Sequence, residues 1–445
     1  MGNIKKGCAC LFVVVVVLLA AFCLMDHTHP PRRFENIFLD TYPHAKCIDG
    51  SPGLYYLSLV HRRSPNKTKW FISYDGGGWC STDGPANMTG CPFDHCLSRA
   101  NGPLGTSKGL GDPTNAEPFF SASQRENKNF HDWNLVRVHY CDGLNFAGSK
   151  GKIDLKSDDP ALNGTFHMSG KFIQDAIMED LRKNFEMDRA TTIIVSGTSA
   201  GGHAAIQHAD RWAEKFPNAA VGCLPDSGLN LEYPKSSTDP FKGPLPFDAG
   251  IRSNFRKFMN ESDIGVHRGC LEFQQQNNLS GENCIYTQHV LPHVKVPVLM
   301  LESYFDAWQI PCMLGVDHFP PSRGPFDNST TENEVKHYGK MFAELVQGLS
   351  FGNSNSSVFG TACPSHCVPG LWNKRVVAVN KRIVDHVAEF VAGLEGHADF
   401  PKSVWQDTAW CGSDTRTNDC CRYDDGAPPI FRRDFIGYSP HFVVA

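Results

Sequence analysis

The chain has 445 residues, 41% of them hydrophobic and 11% aromatic, which is ample for a large core and long for one domain without insertions. Its net charge is −5 and no Lys/Arg cluster alternates with aromatic residues, so nucleic acid is not an expected partner. No internal repeat and no Pro/Ser-rich linker divides it.

Residues 1–33 stand apart. Lys5 and Lys6 precede an apolar run from Gly7 to Met25, which includes five consecutive valines, Val13 to Val17. A basic end before an uninterrupted apolar stretch is the pattern of a secretory signal or a signal-anchor. The run is just long enough to cross a bilayer. The expectation is a cytosolic tail, a type II anchor through residues 7–25 and a polar stem, with cleavage near Ala21-Phe22-Cys23 as the alternative. Gly2 does not complete a myristoylation pattern, because Lys6 stands where Ser or Thr is needed. Either route delivers residues 34–445 to the secretory pathway, as a membrane-held or a secreted protein.

Cysteine usage agrees with an oxidising compartment. Of 17 cysteines, Cys8, Cys10 and Cys23 lie in the targeting segment, and the remaining 14 suit seven disulfides of unspecified pairing. Seven Asn-x-Ser/Thr sequons, at Asn66, Asn87, Asn163, Asn260, Asn278, Asn328 and Asn355, point to a glycoprotein.

The first clear strand is Lys69 to Tyr74, and it runs into Asp75-Gly76-Gly77-Gly78-Trp79-Cys80. Three glycines at a strand end leave backbone N–H groups able to face a ligand. Gly78 and Trp79 are therefore expected to supply one half of an oxyanion hole. Cys91 and Cys96, with His95 between, read as a disulfide rather than a zinc site, since two further ligands are wanting. A strand follows from Asn134 to Tyr140, closed by Cys141-Asp142-Gly143. Gly170 to Phe185 has the apolar stripe of a helix, through Phe172, Ile173, Ala176, Ile177 and Leu181.

Thr191 to Val195 is a β-branched run that reads as a buried strand. It leads into Ser196-Gly197-Thr198-Ser199-Ala200-Gly201-Gly202, and His203 to Trp212 then carries helical spacing. Strand, sharp turn and helix is the context that gives a G-x-S-x-G motif its meaning, with Ser199 as nucleophile and the Ala200 amide as the other oxyanion donor. Further strands are expected over Ala219 to Leu224, ending at Asp226, and over Val296 to Leu301, ending at Asp306. A late helix is expected from Val376 to Leu394. This alternation predicts an α/β fold, a mostly parallel sheet with helices on both faces. The strandless stretch of about 230–294 reads as a lid insertion. Its His289 and His293 share an H-x3-H spacing, but Pro292 and the want of a third ligand argue against metal.

A serine needs a base, and the base needs a carboxylate to fix its tautomer. The acids on offer are Asp226 and Asp306, each just past a strand. Asp306 is favoured by its aromatic neighbours Tyr304, Phe305 and Trp308. His366, inside Cys363-Pro364-Ser365-His366-Cys367, has the setting of an immobilised base. His386 lies within a helix and His397 after it, and neither has that setting.

Five motifs in order now carry a resemblance: Asp75 to Cys80; Trp133-Asn134 with Tyr140 to Gly143; Gly197 to Gly202; Tyr304 to Ile310; and Ser365-His366-Cys367. Together they resemble the pectin acetylesterase family, to which the animal Notum deacylases also belong. The resemblance implies an α/β-hydrolase-like domain over residues 34–445 and a triad of Ser199, Asp306 and His366. It also implies an oxyanion hole of Gly78, Trp79 and Ala200, without metal or cofactor. Asp75 replaces the family's common Glu, and Thr198 stands where plant members often have Cys. The implied activity is that of a serine carboxylesterase. Its substrate is an acetylated polysaccharide, or alternatively a palmitoleoylated secreted protein, with Trp308 and Tyr304 as expected substrate contacts. A catalytically silent glycan- or lipid-binding protein is the remaining alternative.

Overall fold

In a computed structural model, the chain is described over residues 32–82, 94–111, 118–156, 163–230, 232, 246–259, 265–314, 329–362, 365–367, 377–378 and 381–405. The apolar run of residues 7–25 lies outside these, as do the sequons at Asn87, Asn260 and Asn328. Among the described residues no helix is long and apolar enough to cross a membrane.

Nine strands make one sheet: β1 Glu35–Phe38, β2 Leu54–Ser58, β3 Lys69–Tyr74, β4 Asn134–Val138, β5 Thr192–Thr198, β6 Ala220–Asp226, β7 Leu299–Ser303, β8 Ser357–Thr361 and β9 Val404–Trp405. Their spatial order is β1-β2-β4-β3-β5-β6-β7-β8-β9. β2 pairs antiparallel with both β1 and β4. Every pair from β4 to β9 is parallel.

The strands are apolar on both sides, as a sheet covered on both faces requires. Ile193 and Val195 of β5 enter one core while Ile194 enters the other, and Trp70, Phe71 and Ile72 of β3 alternate in the same way. Helices α1 (Gly170–Asn184) and α2 (Ala200–Lys215) contribute Ile173, Ile177, Leu181 and Trp212 to the first core. Ile383, Val387 and Phe390, from the helix Ile383–Leu394, fill the second. The chain leaves β3 toward β4 and then returns past it to β5. The carboxyl ends of β3 and β5 therefore flank the crevice where ligands bind in such sheets. Tyr74 pairs with Gly197 and Thr198 with Asp226, so three strand ends lie level there.

The region after β6 is helical where described, with helices Pro246–Phe258 and Arg268–Gln276 and short turns of helix from Gly281 to His293. It is seated on α2 by Gln207, whose Nε2 donates to the Cys284 carbonyl at 2.7 Å.

Several expectations are corrected. The late helix begins at Ile383 rather than Val376, because Val377–Ala378 pairs antiparallel with Lys381–Arg382. Cys96 pairs with Cys80, since Cys80–Ser81 lies alongside Asp94–His95, and Cys91 falls outside the described residues. Cys47–Cys141 and Cys270–Cys284 are also bridged. Cys223, in contrast, is an unpaired thiol buried in β6, so the 14 cysteines that follow residue 25 do not make seven disulfides. The helix Ser329–Gly348 and strands β1, β2 and β8 have no counterpart among the expected elements.

Candidate active site

Ser199 stands between β5 and α2 with φ 57° and ψ −124°. That is a costly conformation for a residue with a side chain, and one that persists only where its surroundings impose it. Here glycines impose it. A Cβ on Gly197 would overlap the Gly201 backbone, one on Gly201 the Tyr74 carbonyl, and one on Gly202 would lie 2.6 Å from the Asp226 oxygen. The Ser199 amide is held by the Asp226 carbonyl at 2.9 Å. The elbow is wedged between β3 and β6 with Ser199 at its tip.

His366 Nε2 lies 2.7 Å from Ser199 Oγ, and His366 Nδ1 lies 2.8 Å from Asp306 Oδ2. Asp306 is fully buried, and its other oxygen accepts the Trp308 and Gln309 amides at 2.8 and 2.7 Å. Asp306 also bridges to Ser365. The Cys367 amide donates to Ser227 Oγ at 2.9 Å, and the Trp308 ring lies 5.9 Å from the imidazole. The histidine is thereby held from both sides of its loop. Both imidazole nitrogens are occupied, and the acid they meet is Asp306. Asp226, the other acid considered, sits buried at the end of β6 with its Oδ1 accepting from Ser227 Oγ at 3.2 Å.

Gly78, Trp79 and Ala200 line one cleft with Ser199 and His366. The glycine loop runs against the elbow: a Cβ on Gly76 would lie 2.6 Å from the Thr198 oxygen and 3.0 Å from Ser199 Cβ. Asp75 anchors the loop by accepting from Arg137 Nε at 2.6 Å. Gly78 has φ 62°, which favours glycine. The rest of the cleft comprises His203, Ser227, Gly228, Leu229, Asn230, Trp308 and Gln309, around about 340 Å³ including its open mouth. Trp308 reaches the cleft. Tyr304 does not: its ring is fully buried, packed against Phe342 and over Gly360.

Burial sets the charge states around the cleft. His203 is pushed down to about 4, its Nε2 against the Ile285 carbonyl, so it is a neutral imidazole in the wall. Glu302 is pushed well above the carboxylate range, and its Oε1 accepts the Gly228 and Leu229 amides at 3.1 and 2.9 Å. Asp142 is raised to about 7 by burial. His289 Nε2 lies 2.9 Å from Glu232 Oε2, and the His293 ring packs on Phe273. Among the described residues, no group of three or more His, Cys, Asp or Glu could hold a metal.

Sequence reasoning missed Tyr140, whose hydroxyl donates to the Gly78 carbonyl at 2.6 Å, and Arg99, whose Nη2 donates to the Trp79 carbonyl at 2.9 Å. Tyr140 lay within a recognised motif, but Arg99 had no signal at all.

The family model for Pectinacetylesterase matches residues 32–397. The chain belongs to the pectinacetylesterase family. Pectin acetylesterase 7 of Arabidopsis thaliana is 28% identical over 411 residues, covering 88% of this chain and 94% of the plant protein. Palmitoleoyl-protein carboxylesterase NOTUM of Mus musculus is 27% identical over 272 residues, covering 59% of this chain and 48% of the mouse protein. The Wnt deacylase Notum from Drosophila shares the fold, with a TM-score of 0.65 at 19% identity over 83% of this chain and 96% of that one. The mostly parallel, helix-covered sheet is thus the α/β-hydrolase-like architecture of this member of the family. Carboxylic ester hydrolysis is the reaction class to which it belongs.

Proposed function

We propose that this pectinacetylesterase-family protein is a serine esterase that removes short O-acyl groups, acetyl foremost, from a polysaccharide. Ser199 Oγ attacks the acyl carbonyl as His366 Nε2 takes its proton, and Asp306 holds the imidazole in the required tautomer. The Gly78, Trp79 and Ala200 amides receive the oxyanion. His366 returns the proton to the leaving sugar oxygen. Water then repeats the sequence on the acyl-enzyme, releasing the carboxylate.

The observation that carries the nucleophile assignment is the continuous line Ser199 Oγ, His366 Nε2, His366 Nδ1, Asp306 Oδ2, with steps of 2.7 and 2.8 Å. An intact line of this kind also weighs against a silent binding protein. Support for a short acyl group comes from the lining of the cleft. Among the described residues four apolar side chains line it, Trp79, Ala200, Leu229 and Trp308, too few to sheathe a long acyl chain. A long chain left outside an apolar cavity forgoes ~0.8 kcal/mol per CH₂. Trp308 offers a face on which a sugar ring could stack. The stretch of about 230–294 would act as a lid, because Ile251, Ile285 and Tyr286 from it pack with Trp79 and reach Trp308 at the cleft.

Work in the secretory pathway or outside the cell belongs to the same reading. The disulfides among the described residues suit an oxidising compartment, and the sequon residues Asn163, Asn278 and Asn355 are exposed. Asn66 is half-buried with its Nδ2 on Asp132 at 2.6 Å, so a glycan there would displace that bond. Residues 7–25 would serve as membrane anchor if they are not cleaved.

A chain-length series of 4-nitrophenyl esters tests the acyl group. The expected profile peaks at acetate to butyrate. A sharp optimum at octanoate or longer would instead favour removal of a palmitoleoyl group from a protein. Fluorophosphonate labelling tests the nucleophile, and an adduct anywhere but Ser199 would overturn the assignment.

A further inference from the structure

A trans peptide unit is planar, so its C=O and N–H point in opposite directions. Whatever holds the Gly78 oxygen therefore sets the aim of the Trp79 N–H. That oxygen accepts the Tyr140 hydroxyl at 2.6 Å. The same hydroxyl accepts the Asn145 amide at 3.1 Å, and of the two acceptors within its reach, the Gly78 carbonyl at 2.6 Å and Asn145 Oδ1 at 3.4 Å, the nearer takes its single proton. Burial pushes the Tyr140 phenol upward, so it remains a donor at every working pH.

The tyrosine is itself fixed. Its ring lies where a Cβ on Gly77 would come within 2.6 Å of it, and its centroid is 5.3 Å from that of Phe146. Asn145 and Phe146 both have positive φ, 53° and 57°, a strained pair held by the Phe146 amide donating to Asp142 Oδ1 at 3.1 Å. The following unit, Trp79–Cys80, is pinned at both ends. Arg99 Nη2 takes the Trp79 oxygen at 2.9 Å, and the Cys80 amide meets the Gly143 oxygen at 3.0 Å. The rotation left to the Gly78–Trp79 unit is the one Tyr140 blocks.

We propose that Tyr140 is a positioning residue of the oxyanion hole: its hydroxyl, braced by the Asn145 amide, turns the Gly78–Trp79 peptide so that the Trp79 N–H faces the oxygen developing over Ser199. This rests on the serine-esterase reading above. Tyr140 touches no reacting atom. A ground-state carbonyl loses little from a misaimed donor, whereas the oxyanion loses much, so the cost falls on kcat rather than on KM.

The test compares the full chain with Y140F and S199A on 4-nitrophenyl acetate. Removing an oxyanion donor outright costs ~10²–10³ in kcat, and misaiming one should cost about 10- to 100-fold with KM within about twofold. An unchanged kcat in Y140F, beside an inert S199A, overturns the proposal. Continued hydrolysis by S199A instead overturns the esterase reading on which it rests. Site-specific 3-fluorotyrosine at position 140 restores the hydroxyl and should restore kcat; failure to do so means that the loss in Y140F did not come from the missing hydroxyl, and sinks the proposal. Should Y140F not fold, the mono- and difluorotyrosine proteins decide it. A kcat that tracks hydroxyl acidity at constant KM supports the assignment, and identical values refute it.

Discussion

A Cβ built on Gly201 would overlap the carbonyl oxygen of Tyr74, the last residue of β3. The first turn of α2 thus rests directly on the neighbouring strand, with backbone against backbone. Overpacking typically costs about 1–3 kcal/mol, and here the obstacle is main chain that cannot rotate aside. Gly201→Ala is expected to lose stability at the top of that range and to shift Ser199 away from His366. Thermal unfolding of the purified variant checks this, and a midpoint equal to the parent's would show that the contact is softer than drawn.

Asp306 offers its two oxygens to different tasks: Oδ2 to the imidazole, Oδ1 to the Trp308 and Gln309 amides. Asp306→Asn keeps an oxygen for the two amides, so the loop should hold its shape. The new NH₂ would face His366 Nδ1 and favour the tautomer that cannot accept the serine proton. Turnover of 4-nitrophenyl acetate is expected to fall on the order of 10⁴-fold with the fold retained. A loss below tenfold would remove Asp306 from its assigned role.

The sequence exposed local chemistry more readily than distant pairing. Ser199 was legible because strand, turn and helix are contiguous, with Gly197 and Gly201 flanking the serine at the turn. The acid was ambiguous because Asp226 and Asp306 both follow strands. What separates them is the bridge from Asp306 to Ser365, a contact across 59 positions. β8, which feeds the His366 loop, is only Ser-Val-Phe-Gly-Thr, too short to show a period. The helix Ser329–Gly348 did carry one, in Val335, Tyr338, Phe342 and Val346, all buried. The partner of Cys96 and the roles of Tyr140 and Arg99 depend on backbone groups, which are the same whatever side chain they bear.

Cys223 lies fully buried in β6, and burial pushes its thiol well up. Its removal from the count leaves thirteen cysteines beyond residue 25, an odd number that cannot all pair among themselves. Thiolate is the reactive form, so native protein should resist iodoacetamide at position 223. Denaturant without reductant should expose it, and the peptide mass should then carry one carbamidomethyl group. Labelling of Cys223 in the folded protein, or a disulfide found on it, would contradict the packing described.

Asp142 gives the molecule a pH dependence that can be isolated. Burial raises its carboxyl to about 7, against an ordinary 3.8, while amides of the strained Gly143–Phe146 turn pull the other way. Between those values the folded chain holds a proton that the unfolded chain releases. Its stabilising contribution is therefore complete below about pH 4 and is lost as pH rises through about 7, at up to about 1.4 kcal/mol per pH unit. Asp142→Asn cannot titrate. The stability of this variant relative to the parent should thus improve steadily from about pH 4.5 to about pH 7.5. His203 and His386, both pushed down to about 4 by burial, impose the opposite trend, losing stability as pH falls from the unfolded value of 6.5. They are present in both proteins and cancel in the difference. Denaturant unfolding at three pH values measures it, and a difference that stays flat would mean that Asp142 is ionised in the folded protein throughout.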